Sequence, residues 1–166
     1  MNPDMLSLPF REWAARAKHT VKLSAAEHAV MVANVGGEIR YYIRDGFSLT
    51  SAERSESERF MMSSSDLINI ERYLAVELAD DVRENEGLAR LQIPGRMGEY
   101  AAGVIAREDN GTVTIVVGDR PPIRFVHGDP YRLQPDVQFS YFATASIPEI
   151  VESALSASGG PLFSTS

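Results

Sequence analysis

The chain has 166 residues, of which 44% are apolar and none is cysteine, and it carries a net charge of −7. That length and apolar share describe one folded domain, 1–166, and not a disordered tract, while the missing cysteines exclude disulfides, thiolate metal sites and cysteine nucleophiles. The acidity repels phosphate backbones with no basic stripe to offset it, and no apolar run approaches the roughly 18 residues of a bilayer span, so neither nucleic acid nor membrane is an expected partner.

Met1 to Leu8 carry Asp4, no basic residue and no apolar core. They lack the form of a secretory leader, and a cytoplasmic location is expected. A first helix is expected from Leu8 to Lys18, with Ser7 as its cap and Pro9 in its first turn. Phe10, Trp13, Ala14 and Ala17 recur at helical spacing and form its apolar face, with Trp13 as a core anchor.

Strands follow at Thr20–Leu23 and His28–Val35, and Gly36-Gly37 closes a hairpin. Glu38 to Arg44 alternates, so Ile39, Tyr41 and Ile43 face the core and Glu38, Arg40, Tyr42 and Arg44 face water. Asp45-Gly46 is a hairpin turn into a strand from Phe47 to Arg54. Ser55 to Ser57 turn the chain into Glu58–Ser63, where the spacing puts Phe60 and Met62 on one face. This segment reads as an antiparallel meander with one wet face.

Ser63 and Asp66 have the spacing of a capping pair for a long helix from Ser64 to Glu84. Its apolar stripe is Leu67, Ile70, Leu74 and Leu78, widened by Tyr73 and Val82. Asp66, Glu71, Glu77, Asp80, Asp81, Glu84 and Glu86 face only Arg72 and Arg83, so most of the net charge sits on this helix. The acids near its end oppose the helix dipole, and they read as a solvated face. Asp80 and Asp81 point about 100° apart on a helix, against a shared ligand site.

Leu88 to Gly98 reads as irregular. Strands are expected at Tyr100–Arg107, Thr112–Val117 and Ile123–Val126, and a last one at Val137–Ala143. Ser146 and Glu149 cap a final helix that ends near Ser156, Pro161 to Phe163 dock back, and the last three residues fray. The fold class is α+β: a mainly antiparallel meander sheet packed with about three helices, N-terminal, central and C-terminal. One continuous sheet and two sub-sheets are equally compatible with the gap between Ser63 and Tyr100.

His19, His28 and His127 lie far apart and form no zinc motif. No glycine-rich loop joins a strand to a helix as a phosphate site requires. The residues thus point to no catalytic group, no cofactor and no metal. The feature left is the wet face of the meander, where Tyr42, Asp45, Glu56 and Glu58 are the expected protein-contact residues.

Six short stretches carry a family resemblance: Gly37-Glu38, Tyr41-Tyr42-Ile43, Asp45-Gly46, Glu53-Arg54, Glu58-Arg59 and Glu71-Arg72-Tyr73-Leu74. In this order they resemble the actinobacterial immunity proteins of family sixty-one, which contains the immunity factor for tuberculosis necrotizing toxin. The resemblance implies a cytosolic antitoxin that binds a cognate secreted NAD-glycohydrolase toxin domain one to one, occludes its NAD site and performs no chemistry. The alternatives are a chaperone or adaptor for an exported substrate and a small-ligand-binding α+β domain, the latter marked by convergence of His127, Asp129 and Tyr131.

Overall fold

The computed structural model describes all residues, 1–166. After a 3-10 turn at Pro3–Met5, the chain forms α1 (Leu8–Arg16), β1 (His19–Ser24), β2 (Ala29–Asn34), β3 (Ile39–Arg44), β4 (Ser48–Glu53), β5 (Arg59–Ser64) and α2 (Leu67–Asn85). It continues as β6 (Leu91–Gln92), β7 (Val104–Asp109), β8 (Thr112–Val117), β9 (Ile123–Val126), α3 (Pro135–Ser140), α4 (Ile147–Leu155) and β10 (Ser164–Thr165). Eight strands make one antiparallel sheet in the order β1-β2-β3-β4-β5-β9-β8-β7, and β6 pairs with β10 separately. The fold is α+β, with the sheet continuous across the long helical insertion between β5 and β7.

Local chemistry explains most boundaries. Ser7 Oγ accepts from the Phe10 amide at 3.3 Å to start α1, and Ser146 Oγ accepts from Glu149 at 3.2 Å to start α4. Gly36 and Gly37 both have positive φ, +85° and +69°, in the loop 35–38 between β2 and β3, where the Gly37 amide donates to the Asn34 carbonyl at 2.9 Å. The cap of α2 is Asp66, whose Oδ1 accepts from Ile68 at 3.2 Å. The expected Ser63 cap is thus corrected: the helix begins later, and Ser64 instead accepts from the Asp66 amide and the Asn69 side chain.

The sheet packs its helices on one face. Val30, Ile43, Leu49, Met62, Phe125 and Val113 lie side by side across successive strands and are buried against α1, α2 and α3. Trp13 is buried, and its indole N–H donates to the Ala75 carbonyl at 2.9 Å. The strand-face expectation at β5 needs correction. Leu49 pairs with Met62 but Thr50 pairs with Phe60, so Met61 is an extra residue. This bulge turns Phe60 to the outer face, under the Arg124 guanidinium, while Met62 stays inside.

Three expectations after α2 also change. Val137–Ala143 is not a strand; α3 occupies Pro135–Ser140, with Pro135 and Asp136 in its first turn. The segment after α2 contributes β6, and the C-terminus pairs with it instead of fraying: Ser164 lies opposite Gln92 and Thr165 opposite Leu91. Glu71, placed off the buried stripe by periodicity, is 4% exposed because its carboxylate accepts from the Ser7 amide at 2.7 Å.

Two buried arginines of α2 hold α4. Arg72 donates to the Ala145 carbonyl at 2.7 Å, just ahead of α4. Arg83, fully buried, donates to the carbonyls of Ala89, Ala154, Ser156 and Ala157. The first of these contacts is at the start of α4 and the second at its end, so α2 and α4 run side by side in the same direction. Arg83→Met removes every donor and strands buried acceptors, each costing about 1–3 kcal/mol. The expected loss of stability in urea unfolding is about 3 kcal/mol or more, with Arg83→Lys recovering only part of it because one ammonium cannot span the same carbonyls.

Candidate functional site

A cleft of about 660 Å³ lies beside the C-terminal half of α2. Tyr73, Val76, Glu77, Asp80 and Asp81 line it from α2, Ile39 and Tyr41 from β3, and His19 from the start of β1. Leu91, Gln92 and Ile93 close it on the β6 side, with Leu133, Pro135, Gln138 and Phe142 from around α3. The polar contributors on α2 follow from helical spacing: Tyr73, Glu77, Asp80 and Asp81 stand at i, i+4, i+7 and i+8, on one side. Asp80 and Asp81 both line the cleft while keeping solvent-exposed side chains.

The charge in the cleft is poorly compensated. Arg90 reaches Asp80 at 3.3 Å, but the arginine side chain is 85% exposed, so water screens the pair. His19 is buried; its Nδ1–H donates to the Ala17 carbonyl at 2.8 Å, which turns Nε2 toward Asp81 at 4.0 Å. Desolvation, reinforced by Asp80 and Asp81, pushes the Glu77 carboxyl up from 4.5 to about 6. Desolvation also raises Asp81, with His19 opposing. Burial, assisted by Glu77, raises both Tyr41 and Tyr73, so both phenols stay neutral. No three acidic or histidine side chains are grouped closely enough to hold a metal ion.

The four contact residues expected from sequence are not brought together. Tyr42 is corrected from an exposed aromatic to a buried one, 7% exposed. Ala29 and Ala52 leave room for its ring on the outer face, Arg40 donates to its hydroxyl at 3.0 Å, and the Arg44 guanidinium lies 5.5 Å above the ring. Glu58 forms a two-pronged pair with Arg44, both contacts at 2.8 Å, and accepts from Thr50 at 2.6 Å. The Arg44 hydrogen bonds hold its carboxyl below the usual range. Asp45 is 85% exposed at one end of β4, 3.2 Å from the Met1 amine. Glu56 is exposed at the other end, its amide bonded to the Glu53 carbonyl at 2.9 Å. At about 3.3 Å per residue the two acids are roughly 25 Å apart. Glu56 shares its end of the sheet with the cleft, since Ile39 pairs with Glu53.

The His127, Asp129 and Tyr131 arrangement does not converge. Tyr131 is 96% exposed, Asp129 accepts from the Tyr131 amide at 2.9 Å, and His127 faces Glu108 at 3.5 Å. None of the three lines the cleft. No helix is long and apolar enough to cross a membrane.

Comparison with known proteins adds a family match. Residues 13–162 fit the family model described as immunity protein 61. A Mycobacterium tuberculosis protein named immunity factor for TNT is 27% identical over 137 residues, 78% of this chain and 75% of that protein. Its Mycobacterium bovis BCG homolog matches to the same extent. The solved structure of Rv3902c from M. tuberculosis superposes with a TM-score of 0.79 over 96% of this chain and 94% of that one, at 22% identity, and shares the fold.

Folded Glu77 keeps its proton to higher pH than the unfolded chain does. Charging it therefore costs stability as pH rises from 4.5 to about 6, and the cost is complete above that window. Glu77→Gln is expected to stabilise the protein at neutral pH by about 0.5–1 kcal/mol, the shift being discounted for the partial exposure of the side chain. Urea unfolding at about pH 4, where the carboxyl is protonated in both states, should show no difference.

Proposed function

Because this chain belongs to the immunity protein 61 family, we propose that it is the cytoplasmic antitoxin of a secreted NAD-glycohydrolase made by the same cell. In this reading it binds the toxin domain one to one and covers the NAD site until export. The observation that carries the reading is the extent of the family match, which runs from Trp13 in α1 to Leu162 beside β10. It takes in the sheet, α2, both walls of the cleft and α4, and does not rest on one short motif. The 27% identical relative whose name is immunity factor for TNT supports a toxin as the partner.

Occlusion needs a rigid complementary surface and no reacting group of its own. The fold supplies two surfaces suited to it. One is the outer face of the sheet, which carries Arg44, Glu58 and the buried Tyr42 beneath them. The other is the acidic end with the cleft and Glu56. Of the four proposed contacts, Glu56 offers a free carboxylate and Asp45 an exposed one beside the Met1 amine, whereas Glu58 is already neutralised by Arg44 and Tyr42 acts by supporting the arginines.

The direct test is co-purification with the C-terminal domain of the secreted protein encoded beside this one, following NAD hydrolysis in the same tube. A stable one-to-one complex without NAD cleavage is expected; binding that leaves cleavage intact would instead favour an export adaptor. Glu56→Lys should slow association severalfold at low salt and flatten its salt dependence, since charge at an interface edge acts mainly on the on-rate. Asp45→Lys locates the partner: slowing places it across the outer face, and no change places it at the cleft end. Glu58→Lys is unsuitable for this purpose because it also breaks the Arg44 pair.

A further inference from the structure

We infer that the cleft beside α2 is a receptor for an arginine side chain presented on a loop of the partner protein. The inference rests on the antitoxin reading for the identity of that partner, and on the cleft alone for the chemistry of what it takes.

The carboxylates of Glu77, Asp80 and Asp81 reject anions, so a phosphate-bearing ligand is excluded. They do not form a metal cage, and a hard divalent cation needs six or more well-placed oxygens. A cationic organic group remains. Independent of the acids, Tyr73 is only 5% exposed and lines the cleft, yet its hydroxyl has no hydrogen-bond partner in the chain. Tyr41, beside it, is half-buried, and its hydroxyl likewise has no partner in the chain. Both hydroxyls stay accessible from the cleft, so each is free to bond a group that enters it. Both phenols are neutral, and each oxygen can accept an N–H.

A guanidinium has five N–H donors and no acceptor, in a planar fork that fits carboxylates and stacks on aromatic rings. It can serve two phenol oxygens and a carboxylate together, where an ammonium offers one compact centre. Ile39, Val76 and Leu91 give its methylene stem an apolar wall. The volume of about 660 Å³ exceeds one side chain and leaves room for the loop that carries it. Ile39 on the cleft wall pairs with Glu53, whose carbonyl accepts from the Glu56 amide, so a partner seated in the cleft is close to Glu56.

Two measurements test the inference. The first uses the toxin domain and the variants Tyr73→Phe, Glu77→Gln and Asp81→Asn, with Arg107→Ala on the far edge strand as control. Each cleft variant should weaken the complex about ten- to hundredfold, as loss of a hydrogen bond to a charged group does, while Tyr73→Phe leaves thermal stability unchanged or raised and Arg107→Ala binds normally. A structural role for the hydroxyl would instead lower stability together with binding. If the wild type binds and inhibits but the cleft variants do so equally well, the inference is wrong and the antitoxin reading stands.

The second needs no toxin. N-acetyl-arginine amide, its lysine counterpart and the neutral citrulline isostere are titrated into the intact protein, and amide chemical shifts are followed. Saturable shifts at Glu77, Leu91 and Ile93, with a Kd on the order of millimolar, are expected for arginine, weaker ones for lysine and none for citrulline. Absence of saturation with arginine, or equal response to citrulline, overturns the receptor. If the toxin domain fails to bind while arginine saturates the cleft, the antitoxin reading falls and the receptor chemistry stands.

Discussion

A buried guanidinium without a carboxylate partner sets the arrangement of this molecule. Arg83 has no exposed surface and spends its donors on the carbonyls of Ala89, Ala154, Ser156 and Ala157. The last three lie at the C-terminal end of α4, where backbone acceptors have no partner within the helix and the dipole is negative. The charge is thus balanced by oriented backbone and not by an opposite ion. Once Arg83 fixes that end, the chain beyond α4 has to turn back; Phe163 enters the core, and β10 meets β6. The same arginine holds Ala89, two residues before β6, so one side chain anchors the supports of both strands.

This bears directly on the cleft. Leu91, Gln92 and Ile93 form one wall, and that wall is a two-residue strand pair that could not stand alone in water. Its opposite wall is α2 itself, the helix from which Arg83 projects. The two sides are therefore held at a set separation by a residue that does not touch the cleft. Arg72 does the same work at the other end of α4, through Ala145. An apolar residue at either place would fill the volume but leave these carbonyls unpaired, and it could not specify where they must lie.

Much of the frame was legible because its signals are local. Gly36-Gly37 and Asp45-Gly46 mark hairpins, Ser7 and Ser146 mark helix starts, alternation identified β3, and a run of β-branched residues identified β8. The misses have particular causes. In Val137–Ala143 the apolar residues alternate, and α3 is too short for a 3.6 period to show; Pro135 and Asp136 were the available signals. The bulge at Met61 reverses Phe60, and nothing within β5 announces it. Tyr42 is buried by alanines on neighbouring strands, a fact of pairing and not of its own segment. The cleft combines β3, α2 and β6, and only its α2 row could be read from spacing, as Tyr73, Glu77 and Asp80.

Unfavourable local choices are concentrated in that row. Acids at the C-terminal half of α2 oppose its dipole, Glu77 is held partly desolvated beside two further carboxylates, and two phenols lack partners. Elsewhere, apart from His127 Nδ1, Gln134 Oε1 and Asp136 Oδ1, buried side chains find partners: Glu71 is bonded to Ser7, Trp13 to Ala75 and Arg83 to several carbonyls. Local choices that oppose stability mark places where something besides folding is being specified. A solvated acidic face would not need tyrosines beneath it, and a packing cluster would not need three carboxylates above them. The combination makes sense as one half of an interaction, in which the free protein carries a deficit of positive charge and of hydrogen-bond donors that a cationic partner removes.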